Sequence, residues 1–231
     1  MDWRNFAVEL ASMARRLLSQ GTVEKTLGEI TAAAVDLVPG CEAAGVLRLA
    51  GGKVESFAPT ASLVLDSDHL QERFAEGPCF DAARVGHPVF RIHDMTAETA
   101  RWQHYAPEAR ALGLGSMMGF LLYTENQDLG ALNLYSLKPG AFDEDSETAG
   151  WLLASHAAVA FASSREQEQM EKAVETRGLI GEAMGLLMAG HSLSENDAFA
   201  VLRSYSQENN IKLREVGRLT VEQGGLDHPR T

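Results

Sequence analysis

Residues 177–222 read RGLIGEAMGLLMAGHSLSENDAFAVLRSYSQENNIKLREVGRLTVE, and this stretch carries the clearest pattern in the chain. Its apolar residues recur at three- and four-residue spacing in three separate runs, which is typical of amphipathic helices. Gly190 is expected to end the first helix and Ser194 to cap the second. Asn209 and Asn210 are expected to break the second helix and to cap the third. Three short helices this apolar are expected to pack on one another.

Three segments of this stretch, GEAMGLLM, DAFAVLRSYSQ and NIKLREVGRL, carry a family resemblance. In their order and close spacing they resemble the ANTAR family, an RNA-binding output module of bacterial transcription antiterminators. The resemblance covers residues 177–225 and implies an all-α, three-helix domain that binds RNA hairpin loops.

RNA loops are bound through unstacked bases and phosphates, so their binding surfaces need basic side chains beside small residues. The predicted RNA-binding residues are Arg177, Ala183, Gly185, Arg203, Ser206, Lys212, Arg214 and Arg218. Ala183 and Gly185 would let the RNA backbone approach, and Arg203, Ser206, Lys212 and Arg214 match characteristic family positions. Two positions depart from the family. Met184 replaces a residue that is often basic, and Gly217 replaces an alanine at a cost of about 1 kcal/mol in helix propensity.

The overall charge restricts how RNA could be bound. The 231 residues include 20 Lys and Arg against 32 Asp and Glu, a net charge of -12, whereas nucleic-acid-binding proteins are usually basic. Between residues 203 and 218 the basic residues outnumber the acidic ones four to two. Any RNA contact must therefore be local and geometric.

The front of the chain alternates helical and strand patterns. Helices are predicted over residues 1–20 and 22–38, and strands over 41–50, 53–59, 88–92, 116–124 and 128–137. Residues 60–114 are expected to mix short helices and loops around one short strand. The order of helix, hairpin, irregular segment, hairpin and helix predicts an α+β domain, an antiparallel sheet flanked by helices.

Three segments here also resemble a known family. EGPCFDAARVGHPVFRIHD (76–94), RWQHYAPEARALGLGS (101–116) and GALNLYSLKPGAFDEDS (130–146) resemble the GAF family, a small-molecule-sensing fold of signalling proteins. They look much like the GAF domains that precede ANTAR domains in actinobacteria. The resemblance implies a ligand between the sheet and the irregular segment, although core packing would explain the same residues. The candidate lining residues are Phe80, Phe90, Trp102, Tyr105, Met117, Phe120 and Leu134. The resemblance implies no particular ligand or cofactor, and a pure dimerisation scaffold is the alternative.

One long helix is predicted from residue 144 to residue 189, because this segment has no proline. A weak heptad seam runs along it through Leu152, His156, Val159, Ser163, Glu166, Met170, Ala173, Arg177, Ile180, Met184 and Leu187. A parallel coiled coil joining two protomers is favoured, because REQEQMEKAVETR (165–177) has nothing else to pack against. A single helix that lies on the sheet and then spans solvent is the alternative.

The predicted organisation is an N-terminal helix (1–20), a sensor domain (21–163), a connecting helix that overlaps its end (144–176) and an output domain (177–225). Two cysteines, Cys41 and Cys79, are too few for a disulfide framework and are expected to be free thiols. No histidine has zinc-ligand spacing, and no catalytic or phosphate-binding motif is present. We therefore expect no metal, no cofactor and no enzyme activity. No apolar run is long enough to span a membrane, so a cytoplasmic protein is expected.

These features together predict a signal-responsive, homodimeric, RNA-binding transcription antiterminator that binds hairpins of a leader transcript. Two other classes stay open. The two helices after a short turn could belong to a DNA-binding regulator, although the local positive charge is low for that role. The Met184 departure could instead indicate a sensor or scaffold that acts through protein partners without binding RNA.

Overall fold

The computed structural model describes residues 1–17, 20–50, 53–78, 80–81, 89–124 and 127–226. The chain divides into two units, Met1–Glu166 and Gln167–Thr231, which we call the front unit and the rear unit. The long helix α5 (Glu144–His191) contributes residues to both units, in agreement with the single long helix that the sequence predicts.

Five antiparallel strands form the sheet of the front unit. They are β1 (Ala43–Ala50), β2 (Lys53–Phe57), β3 (Val89–Ile92), β4 (Ser116–Thr124) and β5 (Gln127–Ser136). Their order across the sheet is β2-β1-β5-β4-β3, so both predicted hairpins are present and β1 pairs with β5 at the centre. The predicted hairpin turn at 51–52 and the first two residues of the predicted turn at 125–127 lie outside the described residues, and Gln127 belongs to β5. The predicted α+β fold with an antiparallel sheet is confirmed.

Helices cover both faces of this sheet. They are α1 (Trp3–Leu17), α2 (Val23–Leu37), α3 (Ser62–Phe74), a 3₁₀ turn (Met95–Ala100), α4 (Tyr105–Ala111) and the first part of α5. The apolar side of α1, including Phe6 and Met13, is buried in the same core cluster as α2 and α5. Thr22 caps α2 as predicted, since its hydroxyl accepts a hydrogen bond from the Lys25 backbone N–H at 3.3 Å.

Successive residues of a strand point to opposite faces of the sheet, and this separates two cores. Met118 and Phe120 of β4 and Leu134 of β5 pack in the core formed with α1, α2 and α5. Met117 and Tyr135 pack in the second core, with α3, α4 and the 3₁₀ turn. The structure therefore corrects the prediction that Phe120 and Leu134 line one pocket with Met117, because they lie on the other face. Phe120 instead packs its ring against Trp151 at a centroid distance of 6.2 Å.

The rear unit contains the last part of α5 with α6 (Glu195–Glu208) and α7 (Leu213–Gln223). The residues buried at its centre are Ala183, Leu187, Ala198, Leu202, Val216 and Leu226. The predicted three-helix architecture is confirmed. Ser194 caps α6 as expected, accepting from the Asp197 N–H at 3.3 Å, and α5 ends at His191, one residue beyond the predicted stop.

Candidate functional site

The connection between α6 and α7 is fixed by short-range hydrogen bonds. Asn210 adopts a left-handed conformation with φ 53°, which asparagine tolerates better than most residues. The Ser206 hydroxyl donates to the Ile211 carbonyl at 2.5 Å, and the Ile211 N–H donates to the Ser206 carbonyl at 3.0 Å. Ser206 is half-buried, so its visible role is to hold the connection in place.

This connection places Lys212 at the N-cap position of α7 with an exposed side chain. The Lys212 side chain makes no capping hydrogen bond to the helix. The N-terminus of a helix attracts anions through its dipole and its unpaired N–H groups. Lys212 therefore adds a positive charge to a helix end that already favours phosphate.

The predicted basic residues differ in their ion pairs. Arg218 pairs with Glu215 at 3.0 Å and with Glu222 at 2.6 Å, while Arg214 pairs with Glu215 at 3.2 Å. Among the described residues, no ion pair involves Arg203 or Lys212, and both are exposed. Arg177 is also exposed and is in no ion pair in the part of the chain that the structure describes, so Arg177, Arg203 and Lys212 are the predicted basic side chains whose charge is least compensated.

The pKa shifts of the paired groups Glu215 and Arg218 also show that the charges of Arg214 and Arg218 are compensated. Hydrogen bonds from Arg218 and then from Arg214 lower the pKa of the Glu215 carboxyl. Glu215 and Glu222 raise the pKa of Arg218 in return. Glu215 is therefore ionised at neutral pH and competes with any incoming phosphate for the two guanidinium groups, most strongly for that of Arg218.

Three predicted residues lie on α5. Arg177 and Gly185 are exposed, and an added side-chain carbon at Gly185 would meet no atom within 4 Å. Ala183 is fully buried, with 0% of its surface exposed, in the core of the rear unit. The prediction that Ala183 lets an RNA backbone approach is corrected, because a side chain enclosed by three helices cannot contact a ligand.

The two departures from the family pattern also have a structural setting. Met184 is half-buried and packs against the rear core, so it contributes apolar contacts where a basic residue would not. Gly217 is buried on α7, and an added side-chain carbon would lie 3.5 Å from the Leu179 carbonyl oxygen of α5. This distance is an ordinary van der Waals contact.

Gly217→Ala is therefore expected to stabilise the rear unit by about 0.5–1 kcal/mol, because alanine has the higher helix propensity and fits without a clash. Denaturant unfolding followed by circular dichroism measures the change. Gly178→Ala is the matched control, since it makes the same substitution on α5 where nothing lies within 4 Å. A loss of stability at Gly217 beside a gain at Gly178 would show that α5 and α7 pack more closely than the structure indicates.

In the front unit, the second core collects three of the predicted pocket residues. Trp102, Tyr105 and Met117 are buried together there. The Tyr105 hydroxyl lies 2.9 Å from the Ser67 hydroxyl and donates to the Met117 sulfur at 4.0 Å. This face of the sheet thus combines aromatic rings with buried polar groups.

Phe90, another predicted pocket residue, packs against the edge of this same core. Phe80 is buried, and Phe90 is half-buried with its ring packed closely against Gly119 of β4, where no larger residue would fit. Trp102 is held by the Asp81 carboxylate, which accepts from the indole N–H at 3.1 Å.

Asp68 of α3 lies on this same face, although it is not among the residues predicted from the sequence. Its carboxylate is 1% exposed and accepts hydrogen bonds from the Ser56 hydroxyl at 2.7 Å and the Tyr135 hydroxyl at 3.2 Å. Burial raises the pKa of Asp68 to about 6, while the two hydrogen bonds oppose the rise. One sequence feature could have indicated that Asp68 is buried: Val64, Asp68 and Gln71 fall at helical spacing and so share one face of α3. In the structure all three are buried, although two of them are polar.

Asp68→Asn is expected to increase the free energy of unfolding at pH 8 by about 2 kcal/mol, because the variant removes a buried charge. The native carboxyl binds its proton more tightly than the unfolded one, so the wild type loses stability as the pH rises from about 4 to 6. The gain should therefore vanish near pH 4. Asp66→Asn, an exposed site on the same helix, is the control and should change little. Equal unfolding midpoints for the Asp68 variant and wild type at pH 8 would contradict this reading.

The remaining predictions concern metal-binding groups, free cysteines and membrane-spanning helices. Within the described part of the chain, no group of three or more histidine, cysteine, aspartate or glutamate side chains could hold a metal ion. Cys41 is a free, buried thiol whose pKa is raised to about 12 by burial. Cys79 and His87 lie outside the described residues. None of the described helices combines the length and apolar character needed to cross a membrane.

Comparison with known proteins assigns families to both regions. The GAF domain family matches residues 20–162, and the ANTAR domain family matches residues 168–219. None of the curated proteins compared with this chain matches it. Three solved structures illustrate the front fold.

The GAF domain of a phosphoenolpyruvate-protein phosphotransferase from Coxiella burnetii is 18% identical, with a TM-score of 0.56 over 73% of this chain and 99% of that one. The phytochrome photosensory core module of Stigmatella aurantiaca is 12% identical, with a TM-score of 0.57 over 95% of this chain and 46% of that one. A free methionine-R-sulfoxide reductase from Neisseria meningitidis is 14% identical, with a TM-score of 0.50 over 68% and 88% of the two chains. At these identities the similarity shows the fold alone.

The family matches agree with the structure. The GAF match covers the sheet and its helices, and the ANTAR match covers the three helices that carry the exposed basic residues. Both are regulatory domains. The chain therefore belongs to the GAF domain family and is a regulator in which a GAF domain is followed by an ANTAR domain.

Proposed function

We propose that the chain is a signal-responsive transcription antiterminator whose ANTAR domain binds RNA hairpin loops. The observation that carries this proposal is the exposed basic group at the α6–α7 connection, in a chain whose net charge is -12. Lys212 presents uncompensated charge there, Arg214 lies in the first turn of α7, and Arg203 is exposed on α6. A small cationic site beside a helix N-terminus suits a few phosphates of a tight loop better than a long duplex backbone.

A homodimer is part of this proposal. In the rear unit, α5 exposes Met170 (69%) and Val174 (65%) one turn apart; in the front unit, α5 exposes Val159 (67%). Apolar side chains this exposed on a helix favour a partner, and the simplest partner is the same helix of a second copy. Ile180, Met184 and Leu187, which the predicted seam includes, pack within the rear unit instead. The proposed coiled coil therefore ends near Arg177.

The front domain supplies the signal in this proposal. The second core of the sheet, with Trp102, Tyr105, Met117 and the buried Asp68, is the face where we place a small molecule. Retaining a buried carboxylate at a cost in stability is typical of functional sites. The alternative is that the front domain regulates by dimerisation alone. We propose no catalytic step, and an RNA-binding regulator of this kind acts in the cytoplasm.

A hairpin library tests the proposed function. Wild-type protein is mixed with RNA hairpins whose six-nucleotide loops are randomised, and bound RNA is selected and titrated against duplex DNA of the same sequence. We expect micromolar or tighter binding to selected hairpins and weaker binding to the duplex. Preference for the duplex would favour a DNA-binding regulator. Absence of any nucleic-acid binding would favour a scaffold that acts through protein partners.

A further inference from the structure

A groove of about 380 Å³ lies between α5 and the start of α6, entirely within the rear unit. Ile180 and Met184 of α5 and Phe199 of α6 supply its apolar lining. Phe199 is 38% exposed, although phenylalanine is usually buried when it belongs to a core. The output domain thus leaves an aromatic ring accessible in a concave site.

The groove also has polar groups at its edges. Arg177 and Asn196 line it, and both are exposed. Gly181 lies between them on α5, where an added side-chain carbon would meet nothing within 4 Å, so the groove is open at this point. Glu195 is the one acidic group among the lining residues.

These groups match the chemistry of a single unpaired base. Unstacked RNA bases bind by stacking on aromatic side chains and by hydrogen bonds to their edges, with a cation near the phosphate. Phe199 offers the ring, Asn196 an amide and Arg177 the cation. The Glu195 carboxylate repels phosphate but accepts hydrogen bonds from base amino groups, which favours the base over its phosphate at that edge.

We propose that this groove binds one nucleobase of the RNA loop, stacked on Phe199, with the adjoining phosphate at Arg177. The proposal rests on the proposed RNA-binding function and adds a base-binding subsite to the phosphate-binding group at Lys212 and Arg214. Three apolar side chains are too few for a protein interface, which buries about 800 Å² per partner. The groove volume falls in the range of small-molecule sites, about 300–1,000 Å³.

The test uses the full-length protein and hairpins selected by the wild type. Phe199→Leu keeps an apolar side chain but removes the stacking surface, whereas Phe199→Tyr keeps the ring. We expect Phe199→Leu to weaken binding by roughly 5- to 150-fold and Phe199→Tyr by less than about threefold. Met188→Leu is the control, since Met188 is similarly exposed at 37% but lies outside the lining residues.

Abasic substitution at each loop position locates the base. At one position the loss of the base should weaken binding to the wild type by at least the same factor as Phe199→Leu, and should cost clearly less in that variant than in the wild type, because the stacking contact is already lost there. Gly181→Leu fills the groove from the other helix and should reproduce the loss, so the test does not depend on the folding of one variant.

Each other outcome overturns the inference. If the wild type binds hairpins and both Phe199→Leu and Gly181→Leu bind them equally well, the groove holds no base, and the proposed function still stands. If these variants lose dimerisation instead, a second copy occupies the groove. If the wild type binds no hairpin, the proposed function and the subsite fail together.

Discussion

Replacing Lys212 and Arg214 together with alanine is expected to weaken binding to selected hairpin RNA by roughly 10- to 100-fold. Lys212 sits at the N-cap of α7, and Arg214 lies in the first turn of that helix. Both therefore add charge where the helix dipole already attracts phosphate. The chain is acidic overall, so no broad positive surface can replace them.

The salt dependence gives a second expectation for the same variant. If each residue contacts one phosphate in each protomer of a dimer, four contacts are lost, and the slope of log K against log salt should fall by roughly 3. A monomer would give about half this change. Fluorescence anisotropy titrations at several salt concentrations measure both quantities.

Two comparisons make this prediction specific. Lys25→Ala with Lys53→Ala removes the same charge from exposed sites of the front unit and should leave affinity within about twofold. Arg218→Ala should weaken binding less than Lys212→Ala, because Glu215 and Glu222 already hold the Arg218 guanidinium. If the Lys212 and Arg214 variant bound RNA like the wild type, the basic group at α7 would not be the binding site.

Met170→Asp combined with Val174→Asp is expected to convert a dimer into monomers at micromolar concentration. These side chains are two highly exposed apolar residues one turn apart on α5, and in a coiled coil their burial would stabilise the dimer. Four carboxylates placed in that interface would instead be desolvated beside like charges, which is strongly unfavourable. Light scattering coupled to size-exclusion chromatography measures the mass.

Met188→Asp is the control, because it places a carboxylate on an exposed position of the same helix beyond the proposed seam. It should leave the dimer intact. The double variant should also weaken hairpin binding, since two copies would no longer present their basic groups together. A wild-type protein that is monomeric at these concentrations would remove this part of the proposal.

The helical parts of the fold could be predicted because their signals are local. Ser194 was predicted to cap α6 and does so. The absence of proline from residue 144 to residue 189 predicted one long helix, which the structure contains. The faces of the sheet could not be predicted in the same way. The β4 segment SMMGFLLYT is nearly all apolar, because the strand is buried on both faces and shows no alternation. The sequence therefore could not show which face of the sheet Phe120 lies on, and Phe120 was predicted on the face of Met117 instead of the opposite one.

The candidate site was predicted by residue type, and residue type does not report burial. Ala183 is small enough to approach RNA and also small enough to allow close helix packing, and only the structure shows the second role. Ser206 matches a family position, yet its hydroxyl is used within the α6–α7 connection. Asp68 was overlooked because a polar residue on an amphipathic helix is normally assigned to solvent.

Native mass spectrometry of the full-length protein with a selected hairpin RNA tests the central claim most directly. The measurement reports the oligomeric state, bound RNA and any retained small molecule in one spectrum. We predict a protein dimer that carries hairpin RNA, and loss of the RNA-bound species on Lys212→Ala with Arg214→Ala. Protein that stays free of RNA, or that binds duplex DNA in preference to the hairpin, would contradict RNA-loop recognition as the function of this chain.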